Sequence, residues 1–505
     1  MDGSNTSGFQ RTTQLAFGGS LTIENGKTIR MQGLAIEEDS ARPVEKKEGE
    51  VVYRLDRLGF PLIELSTEPD IHSPEEAKMT ALKMGELMRI TGRVKRGLGT
   101  IRQDINISVP HGARVELKGV QELDLIDEYV RREMHRQNTL LQLKKTLVGE
   151  GLTKEMIESQ GGVDVTPLFQ KSTAKMILAA RNEGHVIHAL RLPHFNKKMG
   201  MEVQPGRRVG SELSSYVKAK AGLRGLLHGD ELPGYGITED DVKRIREMVH
   251  AGEKDSFALV IGPEKTVEFA IGVIRDRAAY VLEGIPGETR NAIEGGNSEY
   301  SRPLAGAARM YPETDAHTIE ITPQTLHEID THLPRWAEER KRDFIHKGLS
   351  EKLAEEMKLD NDARFFTRLL EKGYDPTTSA TLLLAQLNTI RRENPNVDRL
   401  THVQLEALLE KEKQKIVLRE NFPTILRAWA QQPDARIETI LENTKVESVE
   451  NEEVARIIKQ IVDKNEHLVL VKGVQSTNAL MGMAMQALRG KAQGYFIAQA
   501  LEKEV

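Results

Sequence analysis

Cysteine is absent from this 505-residue chain. That excludes a disulfide framework, thiolate chemistry and a zinc–thiolate site. No apolar run approaches the length needed to span a bilayer, so no membrane partner is expected. No N-terminal signal is visible, and a cytoplasmic protein fits. Positive charge is not in excess, since the formal net charge is -5. This argues against a globally basic nucleic-acid binder but leaves local patches open. Familiar signatures also fail on inspection. Asn25-Gly26-Lys27-Thr28 ends like a P-loop, but Leu21 stands where the first glycine belongs. His327-Glu328 and His332 miss the zinc-protease spacing by one residue. Gly97-Leu98-Gly99 lacks the third glycine of a dinucleotide fingerprint, and His185, His188 and His194 fit no strong metal motif. There is no long internal repeat and no low-complexity linker.

What is present is a soluble-globular composition, 39% hydrophobic and 29% charged, long enough for about three domains. Three acidic stretches carry most of the chemistry. Leu34 to Asp39 looks like a strand ending in Glu37, Glu38 and Asp39. Glu64 sits inside Pro61-Leu62-Ile63-Glu64-Leu65. Burying an ionised glutamate there raises its pKa or demands a cationic partner. From Ile101 to Val109 residues alternate, with Ile101, Ile105, Ile107 and Val109 on one face. Arg102, Asp104, Asn106 and Ser108 share the other. Pro110 to Ala113 reads as a turn, and Arg114 to Val120 alternates again, giving a hairpin with one apolar and one charged face. A sheet with one face in water accounts for the same pattern. Carboxylates converging from neighbouring strands would instead make a magnesium site, with a phosphate beside it.

Further along, Ser73-Pro74-Glu75-Glu76 marks a helix start, with Ser73 as its cap, Pro74 in the first turn, Glu76 closing a capping box and Gly92 as its stop. Ser256–Ile261 and Thr266–Val273 read as strands. Residues 320–440 are helical by periodicity, and Asn478–Leu488 and Gln493–Leu501 read as two more helices. Met481, Met483 and Met485 are read as packing residues. Among basic clusters, Arg93, Lys95 and Arg96 lead into the acidic strand and suit phosphate contact. Arg131, Arg132, His135 and Arg136 are read as the solvated face of a helix.

The runs Gly33 to Asp39, Leu58 to Asp70, Arg102 to Ser108 and Glu116-Leu117-Lys118, in this order, resemble the GatB/GatE family of tRNA-dependent amidotransferases. Met1 to Thr12, Arg93 to Thr100 and Ala307 to Asp315 are similar to its archaeal E-type branch, and the resemblance covers essentially the whole chain. It implies an α+β multidomain protein: an N-terminally incomplete, cradle-like α/β kinase domain at 1–165, an aspartyl-tRNA-synthetase-like inserted α+β domain at 166–315, a helical domain at 316–444 and a small helical tail at 445–505. The implied activity uses ATP and Mg2+ to phosphorylate the glutamate of misacylated Glu-tRNA(Gln). Ammonia from a D-type partner chain, an asparaginase-like glutaminase, then amidates it, in a heterotetramer of two D-type and two E-type chains. Glu38 and Glu64 match the family's metal ligands, with Glu37 a close second. Asp104 matches a residue on the route to the ammonia tunnel, and Glu116 a further acidic residue of the site. Arg102 and Lys118 are read from the residues themselves as partners for phosphate or carboxylate. In the tail, Arg489 and Lys491 would face tRNA phosphates.

The family's Gly-Leu-Glu-Ile-His segment, whose Glu and His complete the metal site, has no counterpart here. A fragment or a misassigned start accounts for that. Three other readings stay open beside the E-type enzyme: a bacterial B-type chain, a catalytically inactive tRNA-binding scaffold, and a relative of aspartyl-tRNA synthetase. The inserted region argues against the first, and the missing class II synthetase motifs argue against the last.

Overall fold

The structure is a computed structural model that describes residues 12–47, 49–95, 97, 99–304, 320–444, 451–472, 476–488, 492 and 494–505. It is a mixed α+β architecture in two compact units, one of residues 1–85 and 95–320, the other of residues 86–94 and 321–505.

The first unit begins with strands. β1 (Thr12–Phe17), β2 (Ser20–Thr22), β3 (Thr28–Glu38) and β6 (Pro61–Thr67) form an antiparallel sheet around β3. β4 (Arg42–Lys47) and β5 (Glu50–Arg54) form a separate hairpin. Helix α1 (Pro74–Ile90) starts where Ser73 caps it, the Ser73 hydroxyl accepting the Glu76 N–H at 3.1 Å. Glu76 does not close the expected capping box. Its carboxylate accepts the His72 N–H at 2.8 Å and pairs with Lys27 at 2.7 Å. This fastens α1 to the turn between β2 and β3.

β7 (Gln103–Ile107) and β8 (Val115–Val120) form the hairpin that the alternation predicts. Ile107, Val115 and Leu117 are buried. Then follow α2 (Ile126–Gly149), α3 (Lys154–Glu158), β9 (Val163–Asp164), α4 (Lys175–Asn182), β10 (Val186–Leu192), β11 (Glu202–Gln204), β12 (Arg207–Arg208), α5 (Val209–Ala221), β13 (Leu227–His228), α6 (Glu239–Met248), β14 (Ser256–Gly262) and α7 (Glu264–Tyr280). Strands β13, β14, β10 and β9 make a second four-stranded sheet. The strand expected at Thr266–Val273 is helix instead, inside α7. Val267, Ala270, Ile271, Ile274 and Ala278 are its buried positions. They recur at spacings of three and four, so the helical period governs the segment rather than its β-branched content.

β15 (Glu288–Ile293) and β16 (Asn297–Pro303) return to the β7–β8 hairpin. β15 runs parallel to β8 and antiparallel to β16, giving the order β16-β15-β8-β7. The expected division at 165–166 is therefore not a division of the packing. One apolar core joins Ala77 and Leu117 to Val260 and Ile285.

Behind this sheet lies a buried network of charge. Glu133, Arg136, Glu212, Arg277, Glu288 and Arg290 are all at most 5% exposed. Arg136 grips both oxygens of Glu133 at 2.8 and 2.9 Å and donates to Glu212 at 3.0 Å. Arg290 reaches Glu212 at 2.8 Å, Glu288 at 2.6 Å and the Ser298 hydroxyl at 2.9 Å. The Tyr216 hydroxyl, held protonated by burial, donates to Glu288. The three carboxylates pair with Arg136 and Arg290, which offsets much of the cost of burying them, while the Arg277 guanidinium lies over the Tyr216 ring, 5.2 Å from its centre. This corrects one expectation. Arg131 and His135 are exposed as predicted, but Arg136 is fully buried. It lies on the inner face of α2, where Glu133 is one turn away.

The second unit is helical. α8 (Pro323–Thr331), α9 (Ala337–His346), α10 (Glu351–Met357) and α11 (Ala363–Glu371) open it. Further helices run to Thr444 around a core containing Phe344, Met357, Phe366 and Trp429. A separate core from Val454 to Leu501 holds the last helices, including Ser476–Leu488 and Gly494–Glu504. Met481 packs there, whereas Met483 and Met485 are exposed. No helix among the described residues is long and apolar enough to cross a membrane.

Candidate active site

Strand pairing decides which acids meet. β3 and β6 pair Ala35 with Glu64, Ile36 with Ile63, Glu37 with Leu62 and Glu38 with Pro61. Side chains alternate, so Glu37 and Glu64 share one face and Glu38 points to the other, with Ile36 and Ile63. The register thus brings Glu64 together with Glu37, the second choice from resemblance, and not with Glu38. Thr12 on β1 donates to Glu37 at 3.0 Å. Asp39 is buried and used locally, paired with Arg57 at 2.6 Å.

Glu64 is exposed on the sheet rather than buried as expected, but partial desolvation of its carboxyl, with Glu37 hydrogen-bonded beside it and Asp104 nearby, pushes its pKa up to about 7 against the pull of Lys118. The context of Glu64 in Pro61-Leu62-Ile63-Glu64-Leu65 predicts that direction. The sign has a consequence for folding. An unfolded glutamate loses its proton near 4.5 and the folded Glu64 near 7, so folding takes up a proton between these values. The stability that the protonated group contributes is complete below about 4.5 and is lost as pH rises through 7. Glu64→Gln is expected to remove this loss. In metal-free protein its stability advantage over the wild type should grow from pH 5 to pH 8, read from urea midpoints. Parallel curves would rule out the shifted carboxyl.

The second group sits on the outer face of the β7–β8–β15 sheet. Lys118 binds Asp104 at 2.6 Å and Glu116 at 3.2 Å. A bulge makes this possible: Lys118 and Gly119 together oppose Asp104, and Gly119 takes a φ of 78° that disfavours other residues. Glu116 also accepts the Thr289 hydroxyl at 2.8 Å. Burial tends to raise Glu116, but Thr289, Lys118 and Arg302 outweigh it and hold the group ionised. Burial likewise tends to lower Lys118, and Asp104 and Glu116 reverse this. Asp104 and Lys118 both act electrostatically on Glu64, which links the two groups.

Neither Thr289 nor Arg302 is assigned to the site from sequence. Thr289 lies 173 residues from Glu116, and only the parallel pairing of β15 with β8 joins them. Arg102 is exposed just before β7, with no ion-pair partner among the described residues. The basic run is divided: Arg93 belongs to the second compact unit and Lys95 to the first. Lys95 lies 4.4 Å from the centre of the Phe60 ring. Arg96, Arg489 and Lys491 lie outside the described residues.

The donors here are carboxylate and hydroxyl oxygens, which suit a hard cation. Among the described residues, no group of three or more acids or histidines closes into a metal cage. Magnesium does not require one, since one or two carboxylates with water and phosphate commonly hold it. Two carboxyls already sharing a hydrogen bond, Glu37 and Glu64, fit that requirement.

The sequence profile of the GatB/GatE catalytic domain matches residues 1–327, and that of a GatB domain matches 364–505. The chain is 42% identical over 509 residues to the E subunit of glutamyl-tRNA(Gln) amidotransferase from Methanocaldococcus jannaschii. It is 39% identical over 506 residues to the protein of that name from Thermococcus gammatolerans, and 37% over 510 to that from Saccharolobus solfataricus. Each alignment covers 100% of this chain and 80% of the relative. The chain belongs to the GatB/GatE family.

Proposed function

We propose that this chain is the tRNA-acting component of a glutamine-hydrolysing amidotransferase, a ligase that makes Gln-tRNA(Gln) from Glu-tRNA(Gln) for translation. The observation that carries the reading is the cluster of Glu37, Glu64, Asp104, Glu116 and Lys118 in a chain whose relatives are named as E subunits of glutamyl-tRNA(Gln) amidotransferase. In this reaction the substrate glutamate carboxylate attacks the γ-phosphorus of ATP and ADP leaves. Ammonia then attacks the activated carbonyl carbon, and phosphate departs.

Glu37 and Glu64 would hold Mg2+, which supplies positive charge to the phosphate oxygens when bound. Lys118, kept protonated by Asp104 and Glu116, offers a cation to the phosphate or to the substrate carboxylate. Thr289 fixes Glu116, and Arg302 adds a second positive charge beside it. Ammonia would come from a D-type glutaminase, in an assembly of two copies of each chain.

The test is reconstitution. This chain, a D-type glutaminase, Glu-tRNA(Gln), ATP, Mg2+ and glutamine are expected to yield Gln-tRNA(Gln) with one ADP per amide formed. Amide formation that does not depend on ATP would overturn the kinase reading. Absence of Gln-tRNA(Gln) while the tRNA remains bound would overturn the catalytic one.

A further inference from the structure

Register is least secure at a sheet edge, and β7 is an edge strand of the candidate site. It has five residues, and its pairing with β8 is irregular at Asp104. A slip there would part Asp104 from Lys118. Beyond the ladder, a side chain holds the backbone of β7 where a further strand would otherwise lie. Gln137 on α2 donates from Nε2 to the Ile107 carbonyl at 3.3 Å, and its Oε1 accepts the Val109 N–H at 3.4 Å. One amide thus serves a carbonyl and an N–H two residues apart, as the backbone of a neighbouring strand would. The same Nε2 donates to Glu133 at 2.9 Å, and Arg136 grips Glu133 in turn. The amide nitrogen meets two acceptors and the amide oxygen meets a donor, so only one orientation satisfies the site. Gln137 is fully buried. Gly112 leaves room for it, since a Cβ there would collide with Oε1.

At the opposite edge, Gln204 is also fully buried. It holds β16 by the Ser298 N–H at 2.7 Å and the Ser298 carbonyl at 3.2 Å. The two glutamines are alike in kind, but Gln137 holds the strand that carries Asp104. We infer that Gln137 is a positioning residue for the reaction: it pins β7 so that Asp104 keeps the Lys118 ammonium in the site. The inference rests on the function proposed above. Gln137 acts through Asp104, and a small displacement of a group that meets substrate is costly to the rate.

The experiment uses the full chain and two readouts. The first is titration of the Lys118 amine, followed by NMR of lysine-labelled protein and assigned with Lys118→Arg. Gln137→Met keeps most of the volume and removes the clip. Gly112→Ala pushes Gln137 off β7 and leaves its amide in the chain, so one variant remains should the other fail to fold. Each is expected to lower the Lys118 midpoint by about 1 pH unit, because Asp104 no longer favours the charged amine. The second readout is Gln-tRNA(Gln) formation with a D-type glutaminase. There kcat should fall about 10-fold with the KM for Glu-tRNA(Gln) unchanged. Gln204→Met should lower the urea midpoint in the same way as Gln137→Met and leave the Lys118 midpoint alone. A wild-type Lys118 midpoint in the folded variants at 137 and 112 would overturn the inference. An equal drop in Gln204→Met would also overturn it, since the effect would then be a general loosening of the sheet. So would a lowered midpoint with wild-type kcat. If the wild type makes no Gln-tRNA(Gln), the proposed function falls, while the Lys118 titration still confirms or overturns the pinning of β7.

Discussion

Arg290→Met is expected to destabilise the chain by about 3–5 kcal/mol, a large part of the 5–15 kcal/mol that typically holds a domain folded. Arg290 is 0% exposed and meets Glu212, Glu288 and Ser298. Methionine fills much of its volume, so packing changes little. What changes is electrostatics. Glu212 is held well below the usual carboxylate range, with Arg290 and Arg136 overcoming its burial. Without Arg290, Glu288 and Glu212 lose their closest positive charge in a site closed to water. Glu288 and Arg290 point inward from β15, the strand whose outer face presents Thr289 to Glu116. The destabilisation should therefore reach the candidate site. Urea or thermal unfolding of wild type and variant measures it. A loss below about 1 kcal/mol would show that the carboxylates find water or neutralise, and that the network is not closed.

The second large effect is catalytic and separates two assignments. Glu64→Gln should lower Gln-tRNA(Gln) formation on the order of 100-fold while tRNA affinity is unchanged, as expected for a lost metal ligand. Glu37→Gln should do the same, because Glu37 shares the face of Glu64. Glu38→Gln should cost far less, because the β3–β6 pairing turns Glu38 to the other face. Single-turnover assays at saturating Mg2+ and ATP give the three values. A Glu38→Gln enzyme that is dead beside an active Glu37→Gln enzyme would restore the assignment by resemblance. It would also show that the strand end rotates in the active assembly.

Legibility from sequence followed the range of the interaction. The hairpin at 103–120 is readable because alternation is local: Val115 and Leu117 turn inward and Glu116 and Lys118 outward on steric grounds alone. The start of α1 is readable because Ser73 and Pro74 act within one turn. Thr266–Val273 is helix although its sequence suggests a strand, because eight residues rich in β-branched side chains suit either period. Only the longer run to Ala278 shows the helical one.

The order of residues alone settled the chemistry available: oxygen donors without thiols, a glutamate in an apolar strand, and an amphipathic hairpin carrying Asp104, Glu116 and Lys118. Tertiary pairing chose which of two adjacent glutamates joins Glu64, since a one-residue change of register moves every side chain to the opposite face. It also brought Thr289 and Arg302 to Glu116, and buried Arg136 among three carboxylates. These outcomes depend on pairings between residues far apart in the chain, which no local period or propensity encodes.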